Sequence, residues 1–329
     1  MKAVIWTAYG PPEVLHIREV PQPVPKDNEV LVKIHAAAVT AGDCEQRSLK
    51  LPLLLGLAIR LYAGINKPSR KKILGMDLAG EIESTGPDVK QFKKGDRIFA
   101  TTGITHSGAY AEYICLPEDL AEGAMAAMPD NMTFLEAAGV PIGGLEALSF
   151  LRKGNIQSGD KILINGAGGT IGTFAVQLAK HFGAEITAVD STGKLEVLRS
   201  IGADQVIDFT KENFSESGET WDIIFDIAGR SSYSGSIRAL NQNGRYLLAN
   251  PGLSHIIRGP WTSMTGSKKV IAGAANYNTG DLVFLKGLIE EGKIRPVIDR
   301  VYPMEQVVEA HRYVDSGQKT GNVIITMEQ

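Results

Sequence analysis

A glycine-rich turn between a predicted strand and a predicted helix constrains this chain more than any other feature. Lys161–Asn165 is a short apolar run of the kind that forms a buried strand, and Ile171–Phe182 repeats apolar residues at helical spacing. The turn contains four glycines, Gly166, Gly168, Gly169 and Gly172. Glycine allows a sharp turn and a close approach of the backbone to a ligand, and the first N–H groups of a helix favour anions. The pattern predicts a unit that binds the pyrophosphate of a dinucleotide through these glycines, Thr170 and Ile171.

The residues after the next apolar run bear on which dinucleotide binds. Ile186–Val189 ends at Asp190, about 20 residues after the glycine turn, where a dinucleotide site places the group that contacts the adenosine ribose. A carboxylate there bonds a ribose diol and repels a 2′-phosphate, which favours NAD. Ser191, Thr192 and Lys194 follow, and two hydroxyls with a cation suit the 2′-phosphate of NADP. Both cofactors stay open on these residues.

Composition excludes several classes of protein. The chain has 329 residues, enough for two domains, and its net charge of −3 gives no electrostatic footprint for nucleic acid. Two cysteines, Cys44 and Cys115, cannot form a disulfide framework or a four-thiolate zinc site, so we expect a reducing, cytoplasmic setting. Met1–Gly10 lacks the apolar core of a signal peptide and predicts a first strand. Leu51–Ile65 is apolar but too short to cross a bilayer, so we expect no stable membrane insertion.

The order of the remaining patterns predicts an α/β protein with two domains. Residues 1–125 are rich in short β-prone runs and Gly-Pro turns, which indicates a twisted β-barrel. Residues 126–274 alternate strand-like and helix-like segments, which indicates a doubly wound parallel sheet that ends with Lys269–Ala272. The tail, residues 275–329, has no place in that sheet, and we infer that it returns to complete the first domain.

Further segments along the whole chain resemble those of the medium-chain dehydrogenase/reductase superfamily. They are Gly75–Ile82, Gly108–Tyr113, Ala138–Pro141, Ser200–Asp204 and Gly292–Val297, together with the glycine turn. The chain looks most similar to the zinc-free, quinone-oxidoreductase-like members. The resemblance implies a chaperonin-10-like (GroES-like) barrel domain and a Rossmann domain, with the active site in the cleft between them. It also favours NADP over NAD, because related chains bind the 2′-phosphate with a similar Ser-Thr pair.

The resemblance has consequences for metal binding and for the reaction. Zinc-dependent relatives place a cysteine at the position that matches Thr40 and a His-Glu pair where this chain has Met76-Asp77, so the resemblance implies no zinc. Without a Lewis acid, reduction of a conjugated acceptor is easier than oxidation of an alcohol, because the acceptor oxygen then needs only a hydrogen-bond donor. We expect an NAD(P)H-dependent reductase of a small apolar enone, quinone or related carbonyl. An alcohol dehydrogenase and a nicotinamide-binding redox sensor with little turnover stay open.

Analogy with the family also suggests residues near the substrate. Thr40 and Tyr62 are hydroxyl candidates for catalysis, although Thr40 equally suits a structural role. Asp43 and Arg47 stand four apart and suit a structural ion pair. Leu51–Ile65, expected as a buried or pocket-covering helix, and the segment Leu253–Thr265, expected as a loop, would give the substrate side an apolar lining. In the loop the lining residues are Ile256, Ile257, Trp261 and Met264.

The same analogy suggests further cofactor contacts and an oligomeric state. Ala228, Gly229, Asn250 and Asn322 are expected to touch the cofactor. Glu146 departs from the family, which has threonine at that position beside the nicotinamide. Relatives pair through the last strand of the Rossmann sheet, so we expect a homodimer through Lys269–Ala272, with a monomer as the alternative.

Overall fold

The computed structural model describes residues 1–50, 53–69, 72–103 and 106–327. The chain forms two compact units: Met1–Ile142 with Asn278–Glu290 and Pro296–Gln329, and Gly143–Tyr277 with Glu291–Arg295. The domain bounds expected from the sequence, 1–125 with 275–329 and 126–274, stay a prediction. None of the helices in the described ranges combines the length and the apolarity needed to span a bilayer.

The strands are numbered in chain order. They are β1 (Lys2–Trp6), β2 (Leu15–Glu19), β3 (Glu29–Val39), β4 (Asp77–Thr85), β5 (Arg97–Thr101), β6 (Tyr113–Pro117), β7 (Ala124–Ala127), β8 (Lys161–Asn165), β9 (Glu185–Asp190), β10 (Gln205–Asp208), β11 (Trp221–Asp226), β12 (Leu240–Leu248), β13 (Lys269–Ala272), β14 (Ile298–Pro303) and β15 (Asn322–Thr326).

The helices are numbered in the same way. They are α1 (Ala41–Ser48), α2 (Leu53–Ala63), α3 (Phe134–Ala138), α4 (Pro141–Lys153), α5 (Thr170–His181), α6 (Leu195–Ser200), α7 (Tyr233–Arg238), α8 (Leu253–Thr265), α9 (Thr279–Glu290) and α10 (Val307–Asp315).

The second unit is built on a six-stranded sheet in which every pair is parallel. The strand order is β10-β9-β8-β11-β12-β13. Ile162, Leu163 and Ile164 of β8 are fully buried, as expected for a central strand covered on both faces. The chain passes from β8 to β9 on one side and later to β11 on the other, which creates a switch point where such sheets bind ligands at the carboxyl ends of their strands. The predicted doubly wound sheet is confirmed.

The first unit contains a seven-stranded sheet and an antiparallel β1-β2 pair. The sheet order is β14-β15-β3-β4-β5-β7, with β6 paired to β3. In β3, Val30, Val32 and Ile34 alternate into the core, and β15 of the C-terminal tail pairs with β3 in antiparallel register. The tail therefore completes the sheet begun by the N-terminal strands.

The apolar segments Leu253–Thr265 and Leu51–Ile65 are both helical where the structure describes them, and only the first differs in secondary structure from what its sequence suggested. Leu253–Thr265, expected as a loop, is the helix α8, and its expected lining residues are exposed. The described part of Leu51–Ile65 includes α2, on which Leu57 and Leu61 are more than half exposed, while residues 51–52 lie outside the described residues. The spacing of apolar residues in the sequence did not predict which side chains of these two helices are buried and which are exposed.

Candidate cofactor-binding and active site

The glycine turn follows β8 directly and leads into α5. Gly166 adopts a φ of +86°, which favours glycine, and the N–H groups of Gly166 and Ala167 both donate to the carbonyl of Val189 on β9 at 3.0 and 3.1 Å. Gly169 caps α5 without any side-chain hydrogen bond. The N–H groups of the first helical turn have no carbonyl partner within a helix, so this end of α5 offers donors and partial positive charge to a phosphate.

Close packing explains why the turn needs glycine at two further positions. A Cβ atom on Gly172 would overlap the carbonyl of Gly166 and lie 2.5 Å from the Cα atom of Ala167. A Cβ atom on Gly168 would lie 2.5 Å from Cδ of Lys194 and 2.9 Å from Oδ2 of Asp190. The absence of side chains therefore sets both the packing of α5 on the turn and the closeness of the β9 carboxylate to the backbone.

Asp190 is buried and already bound by groups of its own chain. Its Oδ2 accepts the N–H of Gly168 at 2.8 Å, and its Oδ1 accepts the N–H of Ser191 at 2.8 Å. The ammonium of Lys194 lies 3.3 Å from Oδ1, and both side chains are about nine-tenths buried. The carboxylate thus ties the turn to the end of β9, and the lysine offsets its charge.

The neighbouring hydroxyl is held by a second carboxylate. Thr192 donates to Oδ2 of Asp208, the last residue of β10, and Thr210 donates to Oδ1 at 2.6 Å. The hydrogen bonds from Thr192 and Thr210 hold the pKa of Asp208 well below its usual range, and the one from Thr192 has the larger effect. Thr192 is therefore positioned by Asp208, a residue that the sequence analysis did not select.

The loop after β11 is fixed by a third carboxylate. Asp226 is fully buried and accepts hydrogen bonds from the Asn165 side chain at 3.0 Å, the Gly229 N–H at 2.9 Å and the Tyr246 hydroxyl at 2.9 Å, with Ser231 as a further donor. A Cβ atom on Gly166 would touch Ala228, which places the Ala228-Gly229 loop beside the glycine turn. Asn250 donates to the carbonyl of Ile227 at 2.9 Å. The structure therefore brings Ala228, Gly229 and Asn250 together with the turn.

Asp208 and Asp226 were not among the site residues predicted above, although the sequence contains a signal for them. Each of the strands β9, β10 and β11 ends in an aspartate, and β8 ends in Asn165. Parallel strands end at one edge of a sheet, so four polar side chains at strand ends mark that edge as the functional one.

Thr40 and Asp43 lie in the first unit and form the capping box of α1. The Thr40 hydroxyl donates to Oδ2 of Asp43 at 2.6 Å and accepts the Asp43 N–H at 3.1 Å, while the Thr40 N–H donates to the same carboxylate at 2.9 Å. Burial raises the pKa of the Asp43 carboxyl. The expected Asp43–Arg47 ion pair is wrong: Arg47 pairs with Asp315 at 2.6 Å, because the guanidinium points away toward α10.

The other two candidates in the first unit have different settings. Tyr62 lies near the end of α2, packs against the core of that unit, and has its pKa raised by burial. Asn322 is 2% exposed, and its side-chain amide and its backbone N–H both donate to the carbonyl of Val297, at 3.0 and 2.8 Å. The side-chain donor of Asn322 is thus engaged with the backbone.

Glu146 on α4 has a partner that the sequence did not suggest. The Tyr277 hydroxyl donates to Oε1 of Glu146 at 2.6 Å. Burial raises the pKa of this carboxyl, and the hydrogen bond from Tyr277 opposes that shift. On the same helix, a Cβ atom on Gly143 would lie 2.7 Å from Cγ2 of Thr170, so α4 packs closely on the start of α5.

The residues that match the zinc ligands of metal-dependent relatives do not fit zinc. Thr40 is committed to Asp43, Met76 offers a thioether, and Asp77 accepts the N–H of Ile142 at 2.9 Å. Burial raises the pKa of the nearby Cys44 thiol, whereas zinc binds the thiolate. Within the described ranges, no group of three His, Cys, Asp or Glu side chains is arranged to hold a metal ion.

Comparison with known families and solved structures agrees with this architecture. The family described as "Alcohol dehydrogenase GroES-like domain" matches residues 26–129, and "Zinc-binding dehydrogenase" matches residues 201–325. The quinone oxidoreductase structure from Coxiella burnetii superposes with a TM-score of 0.88 at 28% identity, over 100% of this chain and 99% of that one.

Relatives of known activity match over nearly the whole chain. The 2-methylene-furan-3-one reductase of Solanum lycopersicum is 34% identical over 99% of this chain and 79% of its own length. The NADPH-dependent alkenal/one oxidoreductase of Arabidopsis thaliana is 31% identical with the same coverage. The quinone oxidoreductase of Sus scrofa is 31% identical over 99% of this chain and 98% of its own length.

These matches define the protein as an oxidoreductase of the medium-chain dehydrogenase/reductase superfamily, a family that depends on NAD(P). Within that superfamily, the chain belongs to the quinone-oxidoreductase-like branch. The predicted family and the predicted pairing of a GroES-like domain with a Rossmann sheet are confirmed.

Proposed function

We propose that this protein is a zinc-independent, NADPH-dependent reductase of small apolar enones, quinones or related carbonyls. The observation that supports this most directly is the glycine turn, where the backbone N–H groups at the start of α5 meet a buried carboxylate whose charge Lys194 offsets. The glycines, Thr170 and Ile171 would hold the pyrophosphate, and the loop at Ala228, Gly229 and Asn250 would hold the cofactor further along the same edge.

The preference for NADP follows from how Asp190 is bound. A free carboxylate at the end of β9 would bond the ribose diol of NAD and repel a 2′-phosphate. Here both carboxylate oxygens accept N–H groups of the chain, and Lys194 stands beside them. The lysine and the Ser191 hydroxyl are then the groups nearest in sequence that suit a phosphate. This geometry supports NADPH, with NADH as the weaker cofactor.

The acceptor is proposed from chemistry and from the relatives. Bound NADPH would supply a hydride, and an enone takes it at carbon while a proton reaches the enolate, so the products are a saturated ketone and NADP⁺. The enolate oxygen needs a hydrogen-bond donor rather than a metal. Relatives named for a 2-methylene-furan-3-one, for alkenals and enones, and for quinones share this conjugated acceptor. Thr40 and Tyr62 stay proposed substrate contacts, with water as the alternative proton donor.

An acceptor panel tests the proposal. We expect the purified protein to oxidise NADPH with cyclohexenone, hexenal and naphthoquinone, to leave cyclohexanone unreduced, and to be unaffected by EDTA. With deuterated NADPH, the label is expected at the β carbon of the enone product. Activity that chelation abolishes and zinc restores would contradict the proposal and favour an alcohol dehydrogenase. Tight NADPH binding without oxidation by any acceptor would instead favour a redox sensor.

We also propose that the protein is a homodimer that pairs through β13, which lies at one end of the six-stranded sheet. A terminal strand can pair with a second copy through its outer edge, and a two-fold axis can join two such edges. Light scattering after gel filtration tests this. A dimer mass would support the proposal, and a monomer mass over the whole concentration range would contradict it.

A further inference from the structure

Helix α8 packs its small and polar residues against the sheet rather than its apolar ones. Gly259 faces β13, where a Cβ atom would lie 3.0 Å from Cγ1 of Val270, and the Ser263 hydroxyl accepts the Val270 N–H at 2.9 Å. Thr262 bonds the hydroxyl of Tyr233 at 2.7 Å. A helix on the surface of a globular protein normally buries its apolar stripe, so this orientation is inverted.

The outward face of α8 is a continuous apolar stripe. Ile256 is 54% exposed, Ile257 67%, Trp261 71% and Met264 83%. At 100° per residue, these four side chains and Pro260 fall within about 140° of the helix circumference. A stripe of large apolar side chains on one face marks an interaction surface, unlike a single exposed apolar residue. We call the set Ile256, Ile257, Trp261 and Met264 the α8 stripe.

The segment that contains the α8 stripe is basic, although the whole chain is slightly acidic. From Ile227 to Gly280 the sequence has no aspartate or glutamate, and it has six lysines and arginines, at positions 230, 238, 245, 258, 268 and 269. Arg258 lies on α8 and is exposed, and Lys268 and Lys269 follow the end of the helix. Of the six, Arg245 is neutralised by Asp160 at 2.9 Å. Lys268 donates to the carbonyl of Ile237, and the Arg258 guanidinium lies 4.3 Å from the ring centroid of Tyr233 and donates to the Ser234 hydroxyl at 3.0 Å, but neither cation is paired with a carboxylate by these contacts. The α8 stripe is therefore flanked by positive charge with no acidic residue in the same segment.

We propose that α8 is a docking element for an anionic membrane surface, with the α8 stripe in the boundary between headgroups and acyl chains. Amphipathic helices that lie in this boundary combine large apolar residues, often tryptophan, with lysine or arginine beside them. Attraction to anionic lipid then adds to apolar burial. The helix lies on the surface and does not cross the bilayer, in agreement with its length of 13 residues.

Charge distinguishes this partner from a second copy of the chain. An isologous contact through the α8 stripe would bring Arg258 toward its own counterpart across the two-fold axis, unlike the proposed dimer, which joins the edges of β13. Like charges at an interface oppose association, whereas an anionic lipid surface complements them. The proposal concerns a surface and does not depend on the proposed reaction, because its test requires neither cofactor nor turnover.

Tryptophan fluorescence can detect binding at the α8 stripe, because one of the three tryptophans of the chain lies there. The chain has three tryptophans, and Trp6 and Trp221 are buried at 0% and 3% exposure, which leaves Trp261 as the exposed one. Addition of vesicles of phosphatidylcholine with phosphatidylglycerol is expected to shift the emission to the blue and to reduce quenching by acrylamide. Pure phosphatidylcholine vesicles are expected to give a much smaller change, and added salt to weaken binding to the anionic ones. The variant Trp261→Phe is expected to lose the signal while still sedimenting with anionic vesicles.

Two variants and a matched control separate the contributions. Ile257→Ser with Met264→Ser is expected to reduce co-sedimentation with anionic vesicles more than about tenfold, and Arg258→Glu with Lys269→Glu to reduce it by a similar factor. Phe209→Ser removes another exposed apolar side chain, 58% exposed, just after β10 at the opposite end of the same sheet, and is expected to bind normally. Circular dichroism confirms that each variant is folded.

Three results would overturn the proposal. One is binding that is equal for neutral and anionic vesicles. Another is no binding to either, with Trp261 still freely quenched. The third is a blue shift that depends on protein concentration without lipid, together with a mass that falls when the α8 stripe is replaced by serine, because that would assign the surface to a second copy.

Discussion

His311 is expected to make the stability of the first unit fall as the pH falls below about 6.5. It is fully buried on α10, its Nδ1 lies 3.2 Å from the sulfur of Cys44, and its ring meets Tyr110 edge-on. Burial lowers the pKa of His311 from 6.5 to about 3, and the nearby Arg47 contributes in the same direction. The folded state therefore keeps this ring neutral, whereas the unfolded chain takes up a proton near pH 6.5. The neutral ring of His311 contributes fully to the free energy of unfolding above pH 6.5, and this contribution is lost as the pH falls toward 3.

The size of the effect follows from the shift. At one pKa unit per 1.36 kcal/mol, going from pH 6.5 to pH 5 should cost about 1.6 kcal/mol of unfolding free energy, because the unfolded histidine goes from half to almost fully protonated. Asp43 and Glu146, whose pKa values burial raises, act in the opposite sense, so a comparison with a variant is needed.

Urea unfolding at pH 6.5 and pH 5 measures the effect as a difference between proteins. The variant His311→Gln should lose about 1.6 kcal/mol less than the unmodified protein over this interval, whatever its absolute stability. His16, which is exposed on β2, supplies the control, and His16→Gln should keep the pH dependence of the unmodified protein. Equal pH dependence in the unmodified protein and His311→Gln would refute the reasoning.

Three further outcomes are expected from the turn, the charge pair and the cap. Gly172→Ala should displace the glycine turn, lower the free energy of unfolding by about 1–3 kcal/mol and weaken NADPH binding measured by calorimetry. Its control is Gly287→Ala, on a helix with open space at that position, which should raise the free energy of unfolding by up to about 1 kcal/mol. Normal NADPH binding by Gly172→Ala would contradict the packing argument. Lys194→Ala should lower kcat/KM for NADPH about tenfold or more and leave kcat/KM for NADH nearly unchanged. Lys161→Ala, at a half-exposed lysine at the other end of β8 from the turn, is its control, and equal losses with both cofactors would exclude a phosphate contact. Thr40→Val should lower the free energy of unfolding by about 2–4 kcal/mol, because it removes the capping box and one donor to buried Asp43. Thr40→Ser should keep the free energy of unfolding of the unmodified protein. A large loss of kcat at unchanged stability in Thr40→Val would instead assign Thr40 to the substrate.

The local part of the site was predictable from the sequence. The strand β8, the glycine turn and α5 follow from apolar spacing and from four glycines, and the strand Lys269–Ala272 has the predicted bounds. The capping box at Thr40 was also available, because threonine followed three residues later by an acidic residue is a local signal for a helix start. Features that depend on residues close together in the sequence, or on steric limits of the backbone, can therefore be predicted from the sequence.

Contacts between distant segments could not be predicted in this way. Arg47 pairs with Asp315 and Glu146 with Tyr277, and no spacing rule relates residues so far apart. The outward face of α8 was equally hidden, since a stripe of apolar residues predicts a helix face but not its direction. Only Gly259 and Ser263, small enough to pack on β13, determine that the stripe points outward.

The aspartates at the strand ends explain how an edge rich in carboxylates can still suit an anionic cofactor. Asp190 accepts two N–H groups and faces Lys194, Asp208 accepts two hydroxyls, and Asp226 accepts an amide, an N–H and two hydroxyls. Each carboxylate is therefore saturated by its own chain, and its charge is used to fix a loop rather than presented to a ligand. The N-terminus of α5 lies at the same edge, and the partial positive charge of its first N–H groups favours an anion. The same residues that would repel a phosphate if free thus hold in place the turn that is proposed to bind one.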